Sequence, residues 1–137
     1  MLAYTLEKDF TLGGQVQCLS FLPGGRYLAI GIDGQVCVWD TTSWVLDLQY
    51  HRNGVLICSL TWDLHGQLFF GCSDGLLTIV TFGEKEYCSK GFCTSQQPIK
   101  FIAINPSGNF RLALGEDSEV TIWSFQGVHS LLYHGAL

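Results

Sequence analysis

Three stretches of this chain repeat one another in phase, and that internal period limits what it can fold into more than any other feature. The runs "CLSFLPGG", "SLTWDLHG" and "FIAINPSG" end on Gly25, Gly66 and Gly108, which are 41 and 42 residues apart. After each comes a short apolar run, "RYLAIG", "QLFFG" or "NFRLALG", and then an acidic turn at Asp33-Gly34, Asp74-Gly75 or Asp117-Ser118. A third run closes each unit: "QVCVWD", "LLTIVT" and "EVTIWSF". Trp39 and Trp123 hold the same place in the first and third units, with Val80 between them in the second.

Within these runs the side chains alternate with a period of two, as strands do. In "GQVCVWD", Val36 and Val38 point one way and Cys37 and Trp39 the other, so both faces are apolar. Such a strand requires cover on two sides and predicts a sheet packed between other sheets. A fourth, more polar strand is expected in each unit at 45–50, 84–91 and 128–133. Four short strands in roughly 40 to 45 residues is the arithmetic of a propeller blade.

On these residues the chain resembles the WD-repeat β-propellers. The first unit, "VQCLSFLPGGRYLAIGIDGQVCVWD" from Val16 to Asp40, is the fullest match, and "IKFIAINPSGNFRLALGEDSEVTIWSF" from Ile99 to Phe125 is similar. The resemblance implies an all-β fold of four-stranded antiparallel blades, three in number, forming an incomplete ring. The expected division is an outer strand within 1–12, blade one at 13–53, blade two at 54–93 and blade three at 94–137. The segment "YTLEKDFTL" at 4–12 reads as the outer strand of a blade whose other strands are missing.

WD blades are typically pinned by a hydrogen-bonded His, Ser/Thr, Asp and Trp. Here the turn aspartates Asp33, Asp74 and Asp117 are present, and Trp39 and Trp123 with them. The Ser/Thr place reads Ile30, Phe70 and Leu114, and Leu12 fills the first His place. The pinning group is therefore incomplete, and the turn carboxylates Asp33 and Asp117 are the expected acceptors for the indole N–H groups of Trp39 and Trp123.

Composition bears on function. Hydrophobic residues make up 47 % of the chain and charged ones 14 %, against roughly 25 % charged in an ordinary soluble domain. Some of that apolar surplus is expected to meet more protein: a protein partner, further propeller blades or another copy of the chain. Known propellers close with roughly 4 to 8 blades, so three leave a ring open. Two copies would supply six.

The net charge of −5 and the lack of any Lys/Arg cluster argue against nucleic acid. No apolar run is long enough to span a membrane as a helix. The start "MLAYTLEKDF" lacks the pattern of a secretory signal. Of the six cysteines, Cys18, Cys37, Cys58 and Cys72 fall in predicted strands and read as buried free thiols. Reduced thiols point to the cytoplasm or nucleus. Cys88 and Cys93 lack the spacing and histidines of a zinc site, so neither a metal nor a cofactor is expected.

The case for catalysis rests on Asp33, Asp74 and Asp117 gathering at one end of a channel, as acids do in some propeller glycosidases. One repeated structural role in a tight turn explains all three at once. A non-catalytic protein-interaction scaffold is therefore the expected function; the alternatives are a fragment of a propeller hydrolase and a fragment with no independent role. The loops leading into each blade, at 13–15, 51–54 and 94–98, are expected at the same end as the aspartate turns. Gln15, Arg52 and Gln97 are the candidate partner contacts, Arg52 foremost because Arg is enriched among energetic anchors.

Overall fold

The computed structural model describes residues 3–81, 88–93, 96–105, 111–116, 118–126 and 130–136. Among the described residues, twelve strands, all antiparallel to their neighbours, form three four-stranded sheets whose strands follow chain order. Blade one contains β1 (Val16–Phe21), β2 (Tyr27–Ile32), β3 (Gln35–Asp40) and β4 (Leu46–His51). Blade two contains β5 (Ile57–Trp62), β6 (Gln67–Cys72), β7 (Leu76–Thr81) and β8 (Cys88–Cys93). Blade three contains β9 (Phe101–Asn105), β10 (Arg111–Gly115), β11 (Val120–Gln126) and β12 (Ser130–Ala136). The arrangement is the expected one of incomplete propeller blades, and the ring is open.

Register makes the repeat structural. Leu28 pairs with Trp39, Leu68 with Val80 and Leu112 with Trp123. The faces alternate as the period of two requires. Val36 and Val38 turn toward blade two and, with Ala29 and Leu48, pack on its Leu60, Trp62, Leu68, Phe70 and Val80. The opposite face of blade two, carrying Phe69, Leu77 and Ile79, packs on Leu112, Leu114 and Trp123 of blade three. The fully buried Val, Leu and Phe side chains among these each contribute on the order of 2 kcal/mol relative to exposure. Blade two is thus covered on both sides, which is why β6 and β7 carry apolar residues on both faces, with Gln67, Thr78 and Thr81 the exceptions.

Close backbone approach fixes the joints between blades. A Cβ added at Gly31 would stand 3.0 Å from Ile57 Cγ2, and one at Gly71 would stand 2.5 Å from Ile99 Cβ. Ile57 and Ile99, 42 residues apart, are each fully buried over the glycine of the preceding blade. A side chain on the first strand ties each joint. The Cys18 thiol donates to Ile57 O at 3.5 Å, and the Ser59 hydroxyl donates to Ile99 O at 2.7 Å. The Trp62 indole N–H adds a third tie, to Ser20 O at 3.0 Å.

The outer strand expected at 4–12 does not form: no residue from 3 to 12 is in a strand. A strand needs a hydrogen-bonded neighbour, and among the described residues no sheet edge pairs with this segment. Its apolar residues are used differently. Phe10 packs against Trp39 and Trp44, with ring centroids 5.3 and 5.9 Å away. Leu12 packs on the cluster of Leu28, Ile30, Ile32 and Cys37. Among the described residues, this segment covers the face of blade one that no other sheet covers. Trp44, in the left-handed region at φ 57°, is held there by this packing, with its N–H donating to Asp40 O at 2.7 Å.

Candidate interaction surface

One end of the stack gathers the turns and the inter-blade loops. In blade one a two-residue turn, Asp33-Gly34, joins β2 to β3, with Asp33 at φ 50°. In blade two the connection is one residue longer: the Gly75 N–H donates to Cys72 O at 3.1 Å, and Gly75 takes φ 84°. That is a turn closed by a left-handed glycine, the usual three-residue hairpin. Asp33 and Asp74 therefore share a position in the blade and differ in turn geometry, which corrects the expectation of one repeated turn. Asp117 lies outside the described residues.

Backbone hydrogen bonds stitch the loops to these turns. Asp33 N–H donates to Gln15 O at 3.2 Å, Arg52 N–H to Gly34 O at 2.8 Å and Ile57 N–H to Asp33 O at 2.7 Å. Ser73 N–H donates to Leu56 O at 2.9 Å, while the Ser73 hydroxyl accepts from Leu56 N–H at 3.0 Å. Gly34 is required here, because a Cβ would run into the carbonyl oxygens of Arg52 and Val55. Ile99 N–H donates to Cys72 O at 3.2 Å, bringing the loop that carries Gln97 to the same end. The loops that carry Gln15, Arg52 and Gln97 thus lie at the end that holds the Asp33 and Asp74 turns.

Their surroundings differ. Gln15 and Gln97 are exposed. The Arg52 guanidinium forms a two-pronged ion pair with Asp74, Nη1 to Oδ1 at 3.2 Å and Nη2 to Oδ2 at 2.8 Å. This pairing holds the Asp74 carboxyl below its ordinary value, and hydrogen bonding to the carboxylate likewise raises Arg52. Arg52 therefore fastens the loop leaving blade one to the turn of blade two, a role that an expectation based on residue type alone does not contain. An open cleft of about 500 Å³ remains beside it, lined by Asp33, Gly34, His51, Asn53, Val55 and Ser73. With Arg52 neutralised by Asp74, the cleft presents the Asp33 carboxylate, an imidazole, an amide and backbone groups.

The expected bond from Trp39 to Asp33 is absent. Trp39 lies four residues along β3 from Gln35, about 13 Å at strand rise, at the opposite end from the turn. Its buried Nε1 has no hydrogen-bond partner. The Trp123 N–H donates to the Thr121 hydroxyl at 3.1 Å. Cys18, Cys37, Cys58 and Cys72 are free thiols. Burial raises all four, Cys18 to about 12. Cys88 and Cys93 open and close β8, with their side chains outside the described part of the molecule. Among the described residues no three His, Cys, Asp or Glu side chains gather as metal ligands would.

Sequence reasoning missed the inter-blade ties. The signal was present in the spacing of Ile57 and Ile99 and in the glycines Gly31, Gly71 and Gly115, which pair with Cys18, Ser59 and Phe101 in β1, β5 and β9.

Comparison with known proteins agrees with this architecture. A family described as "WD domain, G-beta repeat" matches residues 6–40. The matched unit runs from the N-terminal segment through β3, whereas the sheet runs from β1 through β4. "Protein tipD" of Dictyostelium discoideum is 40 % identical over 55 residues, covering 36 % of this chain and 9 % of that protein. "Protein cortex" of Biston betularia is 28 % identical over 104 residues, covering 73 % of this chain and 23 % of that protein. The chain thus spans less than a quarter of either relative. The unit at 6–40 is similar to the WD repeat, and two further four-stranded units follow it in the same register.

Proposed function

We infer that the chain is a protein-interaction scaffold without catalysis of its own, and that the end carrying Gln15, Asp33, His51, Asn53 and Gln97 receives its partner. WD repeats in general serve protein interaction, but a fold alone does not name a partner. The observation that carries the reading is the cleft between the Asp33 turn and the loop at 51–56, an open surface of mixed polar and apolar lining whose loops are tied together by backbone hydrogen bonds. Loops positioned by a rigid scaffold are where recognition concentrates. The partner is a protein loop or peptide rich in hydrogen-bond donors, met in the cytoplasm or nucleus, where free thiols stay reduced. No cofactor or metal enters this reading.

The hydrolase alternative fits less well. An acid catalyst needs a raised carboxyl, and Arg52 pulls Asp74 the other way.

The test is photo-crosslinking from Gln15 and Gln97 in cells, with Thr42 as the control site outside the loop end. The same protein captured from both glutamines and lost at Thr42 is the expected result. Capture that does not distinguish Thr42 from the glutamines contradicts the reading.

A further inference from the structure

The loop from β4 to β5 carries an asparagine followed by a glycine, Asn53-Gly54, on the lining of the cleft. An asparagine in such a pair can lose its amide to an attack from its own chain. The peptide nitrogen of the next residue, once its proton has passed to hydroxide, forms a bond to the asparagine Cγ. The Cγ–Nδ2 bond breaks, and ammonia leaves with a proton taken from water. The product is a five-membered cyclic imide. Water then opens that ring at either carbonyl, restoring the peptide bond with an aspartate or leaving the main chain to run through the side chain as isoaspartate. The sum is one water taken up and one ammonia released, with no oxidant or reductant.

The fold leaves this pair open to the reaction. Gly54 has no side chain to hinder the approach, and a Cβ placed there would meet nothing within 4 Å. Asn53 and Gly54 are both exposed. Among the described residues, neither the Gly54 N–H nor the Asn53 side-chain amide makes a hydrogen bond. Comparable positions are closed. Asn105 precedes Pro106, which has no N–H with which to attack. Asn109 precedes the bulky Phe110, and both lie outside the described residues. Aspartate followed by glycine reacts by the same ring closure, but the Gly75 N–H is held by Cys72 O at 3.1 Å, and Gly34 lies close against the carbonyl oxygens of Arg52 and Val55.

We propose that Asn53 is a modification site, at which the folded chain converts its own asparagine to aspartate and isoaspartate with water as the only co-reactant. The reaction needs no partner, so it goes beyond the interaction reading and stands apart from it. Both products place a carboxylate on the cleft that already holds Asp33, adding one negative charge to the −5 of the chain. Isoaspartate does more, because it lengthens the main chain by a methylene between positions 53 and 54. The loop is short and fixed on either side, by Arg52 N–H on Gly34 O at 2.8 Å and by Ile57 N–H on Asp33 O at 2.7 Å. The added methylene loosens both bonds, and with them the hold of the Asp33 turn on the start of blade two.

Incubation of the full chain in mildly alkaline buffer, then pepsin digestion in acid and mass spectrometry with electron-transfer fragmentation, tests the site. Position 53 should lose its amide progressively, taking up one heavy oxygen atom from labelled water and yielding both aspartate and isoaspartate. Asn105 should keep its amide throughout. The guanidinium-unfolded chain should convert position 53 at a rate similar to the folded one. Asn53→Gln, whose attack would need a larger ring, should gain no charge over the same period. A folded chain that keeps Asn53 intact while the unfolded chain converts it overturns the proposal, as does conversion of Asn105 at an equal rate or a charge gain in Asn53→Gln. Amide hydrogen exchange separates the charge from the methylene. Asn53→Asp should protect the Arg52 and Ile57 amides as the parent does, and the isolated isoaspartyl chain should lose that protection. Parent-like protection in the isoaspartyl chain would overturn the loosening of the loop.

Discussion

Gly71→Ala tests the joint between blades two and three most sharply. Gly71 is absent from the residues with positive φ, so alanine meets no backbone strain there and would, by stiffening the unfolded chain, stabilise by about 0.4–1 kcal/mol. Contact reverses the sign. The new methyl would lie 2.5 Å from Ile99 Cβ, 2.6 Å from Ile99 Cγ2 and 2.9 Å from Ser59 Oγ, whereas carbon atoms rest at about 3.5–4.0 Å. The first two contacts must open by about 1 Å against a side chain that is fully buried, and such overpacking costs about 1–3 kcal/mol. The net expectation is a loss of about 1–2 kcal/mol, which at about 1–3 kcal/mol/M lowers the urea midpoint by roughly 0.5–1 M. Ile99→Ala alone costs about 2–5 kcal/mol through its cavity. In the double variant the added methyl occupies part of that cavity, so the two losses sum to less than their separate values by about 1 kcal/mol. Urea unfolding of the four proteins gives the cycle. A neutral Gly71→Ala, or strict additivity, would refute the close approach.

Further expectations concern the ties. Arg52→Ala should cost at most about 1 kcal/mol at neutral pH, as partly exposed ion pairs do. Because Asp74 is depressed in the folded state from its ordinary 3.8, its contribution is full above that value and fades as pH falls through the folded value. Urea midpoints of parent and Arg52→Ala should therefore converge in acid. Trp62→Phe removes the N–H donated to Ser20 O and should cost about 1 kcal/mol or more in the same assay, since the hydrogen bond joins two blades. Cys18, raised by burial from 9.0 to about 12, should resist alkylation in the folded chain until strongly alkaline pH. Its contribution to stability is complete below 9.0 and lost as pH rises toward about 12, a decline that Cys18→Ala should lessen.

The strands were legible because alternation and turn glycines are local. Val36 and Val38 on one face, with Cys37 and Trp39 on the other, are enough to place β3 between two covers. The nature of the second cover was not legible. The face of Cys37 and Trp39 meets Phe10 and Leu12 from an unpaired segment whose period of two matches a strand equally well. Whether such a segment pairs depends on a sheet edge elsewhere, which a local pattern does not contain. The same limit explains Arg52. Its place in the loop was readable, but its partner Asp74 lies 22 residues on, and only the joining of two blades brings them together. The Trp39 to Asp33 bond failed for a different reason: the two residues belong to one hairpin and stand at its opposite ends.

The stack of three blades with an interior second blade is tested most directly by amide hydrogen exchange of the whole chain. Blade two, covered on both faces, should protect the central amides of β6 and β7 more strongly than the corresponding β10 and β11 amides of blade three, whose Val120 and Ile122 face is open. Equal protection in the two blades in single chains, or faster exchange in β6 and β7, would contradict it.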